Sequence, residues 1–149
     1  MKTEPQLLFK IEDQIAFVTL NRAEKHNALS FEILYGLVET ANKIKKDRSI
    51  RAVILQGEGP SFCSGLDILG IFKNGMFVNL IKLMGKKPFS RVNLVQKVAM
   101  VWREIPVPVI SLIHGNCFGG GLQIALGCDF RYASPDAKFS LLEGSLKVS

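Results

Sequence analysis

Two short segments near the start of the chain, LLFKIED and QIAFVTL, alternate apolar and polar residues, and a polar break near Asp13 separates them. A period of two predicts strands, so the chain opens on a hairpin closed by a tight turn. After the polar run NRAEKHN the period changes. Ser30 offers an N-cap, and Phe31, Leu34, Leu37, Val38, Ala41 and Ile44 share one face of a helix running to about Lys46. RAVILQG then reads as a buried strand, ended by the loop GEGPSFCSG. From Leu69 to Pro88 no period is clean, which predicts a mobile, partly helical excursion. From Ser90 onward, Val92, Val95, Val98, Ala99 and Trp102 mark a second amphipathic helix, stopped by Pro106 and Pro108. VPVISLIHG is a strand, GGGLQIALGCD starts a helix, and FRYAS and AKFSLL are strands. Strand and helix therefore alternate, which requires crossover connections and predicts an α/β fold with a mostly parallel sheet and helices packed on it.

At 149 residues with 48% hydrophobic content, the chain has the material for one domain, residues 1–149. The formal charge of +6 favours an anionic partner. The basic residues are spread along the sequence and not interleaved with aromatic residues, so nucleic acid is not the expected partner. Cys63, Cys117 and Cys128 are odd in number, lack CxxC spacing and sit in apolar or Gly-rich settings, which predicts reduced thiols and a cytoplasmic or organelle-matrix location. No apolar run approaches membrane-spanning length and the first residues do not form a secretory signal, so the expectation is a soluble protein without membrane insertion.

Two strand-to-helix junctions carry unusual loops: SFCSGLDI after RAVILQG, and GNCFGGGLQ after VPVISLIHG. In parallel α/β sheets ligands gather at the carboxyl ends of strands, so both loops are placed to face one pocket. Glycine lets backbone N–H groups approach a ligand oxygen, and two such groups can hold a developing oxyanion. The plainer alternative is that Gly119, Gly120 and Gly121 allow a tight turn and close packing of helix on sheet. A dinucleotide-binding turn is set aside, because the spacing is not GxGxxG and Asp129 is too close to serve as the ribose-binding acid.

Three segments, VTLNRAEKHNALS, VILQGEGPSFCSGLDI and PVISLIHGNCFGGGLQIALGCDFRYASPDAKFSLLE, resemble the crotonase family of enoyl-CoA hydratases and isomerases, in family order and spacing from about residue 10 to 143. The resemblance implies a spiral of strand-strand-helix repeats, an acyl-CoA thioester as substrate without a further cofactor or metal, and assembly as a homotrimer or hexamer. It places the two oxyanion donors on the Leu66 and Gly120 amides. It sets Leu66, Asp67, Ile68 and Leu69 along the CoA arm, and Lys25 and Ala28 near the nucleotide end. If eukaryotic, the matrix of a mitochondrion or peroxisome becomes the expected location. Lys25 either meets a CoA phosphate or is a solvated surface lysine, and Asp67 is expected to cap the helix that follows it. His26 and His114 match no catalytic position of the family, and with Trp102 and the cysteines they are assigned to structure.

Hydratases of this family use two glutamates. One matches Glu143, but the other falls on Gln123, an amide that can hold a water and cannot act as a base at neutral pH. The resemblance therefore implies Glu143 as acid/base with Gln123 as a polar partner, for hydration or a double-bond shift. The tail at 144–149, GSLKVS, departs from the family's LGLIPG-like continuation, which implies that the C-terminal helical part is lacking. A non-catalytic acyl-CoA binder or an inactive fragment is the open alternative.

Overall fold

The computed structural model describes residues 4–73, 75, 78–79, 81–82 and 93–141. β1 (Leu7–Glu12) and β2 (Ile15–Leu20) pair antiparallel through a two-residue turn in which Asp13 and Gln14 both have positive φ, 48° and 66°. That geometry matches the twist of the strands it joins. α1 (Phe31–Lys46) starts where the Ser30 Oγ accepts the Ile33 N–H at 3.2 Å. Its buried residues include Ile33, Leu34, Leu37, Ala41 and Ile44, while Phe31 and Val38 lie at the edge of that stripe.

The chain then crosses to β3 (Ala52–Gly57), β4 (Val109–Ile113) and β6 (Phe130–Ala133), each parallel to its predecessor, giving a sheet ordered β1-β2-β3-β4-β6. One face of this sheet supplies Val18, Leu20, Val53, Leu55, Val109 and Ile113 to the core, against α1 and Trp102. Because register partners share a face, Ile54, Ile110 and Leu112 project to the other side with Phe130 and Tyr132 of β6, the last two being exposed.

Three elements depart from the sequence expectation. The second amphipathic helix is described over α3 (Leu94–Met100), where Asn93 and Gln96 form a capping box, and its end tightens into a 3-10 turn, Val101–Glu104, that buries Trp102. Ser90 and Val92 lie outside the described residues, as does half of the stretch between Leu69 and Pro88. In that stretch α2 (Ile68–Phe72) is helical. Next, the loop GNCFGGG contains a strand of its own, β5 (Asn116–Phe118), which precedes α4 (Gly120–Gly127). Finally β7 (Lys138–Ser140), the core of AKFSLL, joins β5 in a second small parallel sheet and does not extend the main one. Cys63 bridges to Cys117 at the edge of that small sheet. Each of β3, β4 and β6 is thus followed by a short second segment, at Cys63, β5 and β7, and in the first two units a helix, α2 or α4, comes next, which is the strand-strand-helix repeat of the expected spiral. Within one repeat the main strand builds the core. The short segment after it builds the site.

Candidate active site

The junction after β3 is stitched on both flanks by backbone hydrogen bonds. On one side Cys63 donates to the Asn116 carbonyl at 3.0 Å and accepts from Phe118 at 2.9 Å. On the other, Ser64 donates to His26 O at 2.9 Å, Leu29 donates to Gly65 O at 2.7 Å, and Asp67 donates to Leu29 O at 3.1 Å. The segment at 22–29 is in turn shaped by Asn27, which is fully buried with φ 55°. Its Oδ1 accepts the Arg22 N–H at 2.8 Å and its Nδ2 donates to the carbonyls of Glu58 and Ser61, both at 2.8 Å. Asparagine tolerates the left-handed region better than most residues, and here its side chain satisfies three backbone groups.

The junction after β4 is built from glycine. Gly119 has φ 48° and ψ −116°, a conformation that a Cβ would strain, and its N–H donates to Ser140 O at 2.8 Å. At Gly121 a Cβ would come within 2.6 Å of Cys63 Cβ and 2.8 Å of Cys63 O, so glycine is required for the two loops to touch. Between them, the Cβ position of Gly120 lies 3.0 Å from Leu29 Cδ1 and 4.0 Å from Leu66 Cγ. Residues 66 and 120 are therefore neighbours. Among the described residues neither of their N–H groups donates to a backbone carbonyl. Burial pushes the Cys63 thiol up to about 12, against a smaller opposing pull from the Gly65 backbone, and burial likewise pushes Cys117 up to about 12. Both thiols stay protonated at neutral pH and serve as packing.

Beside this contact opens a cleft of about 940 Å³ lined by Arg22, Lys25, Asp67, Ile68, Leu69, Gly70, Phe72 and Lys73. Its walls are apolar, with Leu69 87% exposed, and its charged lining is three cations against one carboxylate. That carboxylate works twice: Asp67 Oδ1 accepts the Gly70 N–H at 2.9 Å, capping α2, while Oδ2 meets Arg22 Nη1 at 2.8 Å. Burial opposes its ionisation, but the Gly70 N–H, the Arg22 guanidinium and the Lys25 charge outweigh that and hold the Asp67 carboxyl below its ordinary range.

The family model for enoyl-CoA hydratase/isomerase matches residues 10–146, nearly the whole chain. The chain belongs to the enoyl-CoA hydratase/isomerase family. A mitochondrial Delta(3,5)-Delta(2,4)-dienoyl-CoA isomerase of Rattus norvegicus is 37% identical over 137 residues, covering 89% of this chain and 41% of that protein. A mitochondrial methylglutaconyl-CoA hydratase of Mus musculus is 34% identical over 157 residues, covering 99% of this chain and 46% of that protein. Among solved structures, an enoyl-CoA hydratase of Mycobacterium smegmatis superposes with a TM-score of 0.83 at 30% identity, over 97% of this chain and 53% of that one. The chain thus spans about half the length of relatives whose names include both an isomerase and a hydratase.

Against this family background, the structure gathers Lys25, Asp67, Ile68 and Leu69 on one cleft and sets Leu66, which precedes Asp67 in the chain, against Gly120. Ala28 does not line the cleft; its carbonyl accepts from Arg22 Nη1 at 3.0 Å. Gln123 lies three residues into α4 from Gly120, on the same helix face, partly buried and engaged in interactions of its own. Glu143 lies outside the described residues. His26 Nδ1 meets Ser61 Oγ at 2.9 Å and His114 Nε2 meets Gly59 O at 2.7 Å, both structural contacts. Two residues of the region escaped the sequence reading, Arg22 and Asn27, although both stand in the motif LNRAEKHNALS. The turn-forming Asn27 was the available signal. No helix among the described residues is long and apolar enough to cross a membrane.

Proposed function

We propose that this chain holds the carbonyl oxygen of an enoyl-CoA thioester between the N–H groups of Leu66 and Gly120 while a double bond in the acyl chain is shifted or hydrated. The observation that supports this most is that two neighbouring amides, from two loops locked together through Cys63, are not spent on backbone carbonyls among the described residues. Removing a proton from the acyl chain sends an electron pair toward the thioester oxygen. Donors already aimed at that oxygen lower the barrier, each by a factor on the order of 10²–10³. In this reading the Glu143 carboxylate takes the proton from one carbon and returns it to another, which moves the double bond without adding or losing atoms. Gln123 holds a water or the acyl chain by hydrogen bonds and takes no proton, which favours the shift over two-acid hydration. Ile68, Leu69 and Phe72 suit the apolar arm of CoA, and Lys25 and Lys73 suit its phosphates.

The test is incubation with a 3-enoyl-CoA and a 2-enoyl-CoA in heavy water, followed by mass spectrometry. The expected result is a shifted double bond with deuterium in the acyl chain. The Gln123 amide also supports a second reading, a non-catalytic acyl-CoA binder. Calorimetric binding of a CoA thioester with neither deuterium uptake nor hydration would favour that one.

A further inference from the structure

The Leu66 peptide sits inside a closed ring of contacts. Its neighbours Gly65 and Asp67 are both bonded to Leu29, through Leu29 N to Gly65 O at 2.7 Å and Asp67 N to Leu29 O at 3.1 Å, and residues 29 and 66 form a bridge. Leu29 follows Ala28, whose carbonyl accepts from Arg22 Nη1 at 3.0 Å. The same Arg22 nitrogen meets Asp67 Oδ2 at 2.8 Å, which returns the ring to the residue after Leu66. With side chains 14% and 16% exposed, this is the one ion pair among the described residues shielded on both partners; the others each have a partner more than half exposed. A shielded pair with fixed hydrogen bonds constrains geometry in a way that a solvated surface pair does not. Leu29 Cδ1 and Leu66 Cγ are also the atoms that face Gly120, so a slip of this ring changes the spacing between the two amides.

We propose that the Arg22–Asp67 ion pair is a positioning device that aims the Leu66 N–H at the thioester oxygen. The inference rests on the functional reading above. It assigns Arg22 and Asp67 no contact with the reacting atoms; they act through the backbone of residues 28–29 and 65–67. Substrate is held mainly by Ile68, Leu69, Phe72, Lys25 and Lys73 of the cleft, so loosening the ring weakens carbonyl polarisation more than binding.

The test is infrared difference spectroscopy of a CoA thioester labelled with carbon-13 at its carbonyl, bound to the wild type, to Asp67→Asn and to Arg22→Lys. Asparagine keeps an oxygen to cap α2 and lysine keeps the charge, so both variants preserve the local shape while breaking the charged fork. The wild type is expected to shift the carbonyl band to lower frequency. Both variants should lose at least half of that shift, with affinity changed less than about threefold and any turnover reduced about tenfold, part of the roughly 10²–10³ that one oxyanion donor supplies. A wild type that binds without shifting the band overturns the oxyanion reading and the clamp with it. A wild-type shift that survives unchanged in both variants overturns the clamp alone.

Discussion

The loop after β3 and the loop after β4 meet at Cys63, yet they are made rigid by different means. The first is held from outside by side chains, with Asn27 bonded to three backbone groups and Arg22 paired to Asp67. The second is held from within by glycine geometry, with the backbone of Gly119 in a region that other residues avoid and Gly121 pressed on Cys63. A loop of the first kind is changed gradually by removing bonds one at a time. A loop of the second kind fails as soon as a methyl group is added. Both devices serve one end, since an amide that must point at a ligand cannot be spent on a regular hydrogen-bond ladder and needs other fixing.

The contrast can be broken most forcefully at Asn27. Asn27→Ala orphans the Arg22 N–H and the Glu58 and Ser61 carbonyls and leaves an alanine at positive φ, so chemical denaturation should show a loss of about 3 kcal/mol. Gly121→Ala comes next. Its Cβ would fall 2.6 Å from that of Cys63, an overpacking expected to cost about 2 kcal/mol and to push the two loops apart. If Gly121→Ala were neutral in stability and in CoA thioester binding, the second loop would not be the rigid partner described here.

A smaller effect is expected from Asp67→Asn, and it depends on pH. The Asp67 carboxyl titrates below its ordinary value of 3.8 in the folded chain, so the native state binds fewer protons there than the unfolded one. Its contribution is present above the ordinary value and disappears as pH falls through the lower, folded value. Stability curves of wild type and Asp67→Asn should therefore converge on acidification below about pH 4, and parallel curves would contradict the ion pair's role. The smallest effect belongs to Lys25→Ala. Lys25 is exposed and outside the core, so the melting temperature should not move. Affinity for a CoA thioester should fall about threefold in low salt, with the difference fading as ionic strength rises.

The same contrast explains what could be read in advance. The hairpin and α1 are legible because burial on one face imposes a period of two or 3.6 on the sequence. The glycine loop is legible because only glycine accepts φ 48° with ψ −116° at Gly119 or contact at Gly121, so the constraint is written in the residue type. β5 was missed because three residues inside a Gly-rich loop are too few to show a period, and its partner β7 lies beyond β6 in the chain. The Arg22–Asp67 pair was missed for a different reason. Each residue is ordinary in its own neighbourhood, and only the bridge between Leu29 and Leu66 brings the two segments together. An ion pair of this kind is a relation between distant positions, which leaves no local mark.

The central claim is that the amides of residues 66 and 120 converge on one oxygen. Amide proton NMR with nitrogen-15 labelling, during titration with a non-reactive acyl-CoA thioester analogue, tests it most directly. The account predicts that the Leu66 and Gly120 resonances move downfield together and saturate at the same ligand concentration. Movement of one without the other, or of neither while the ligand demonstrably binds, would contradict it.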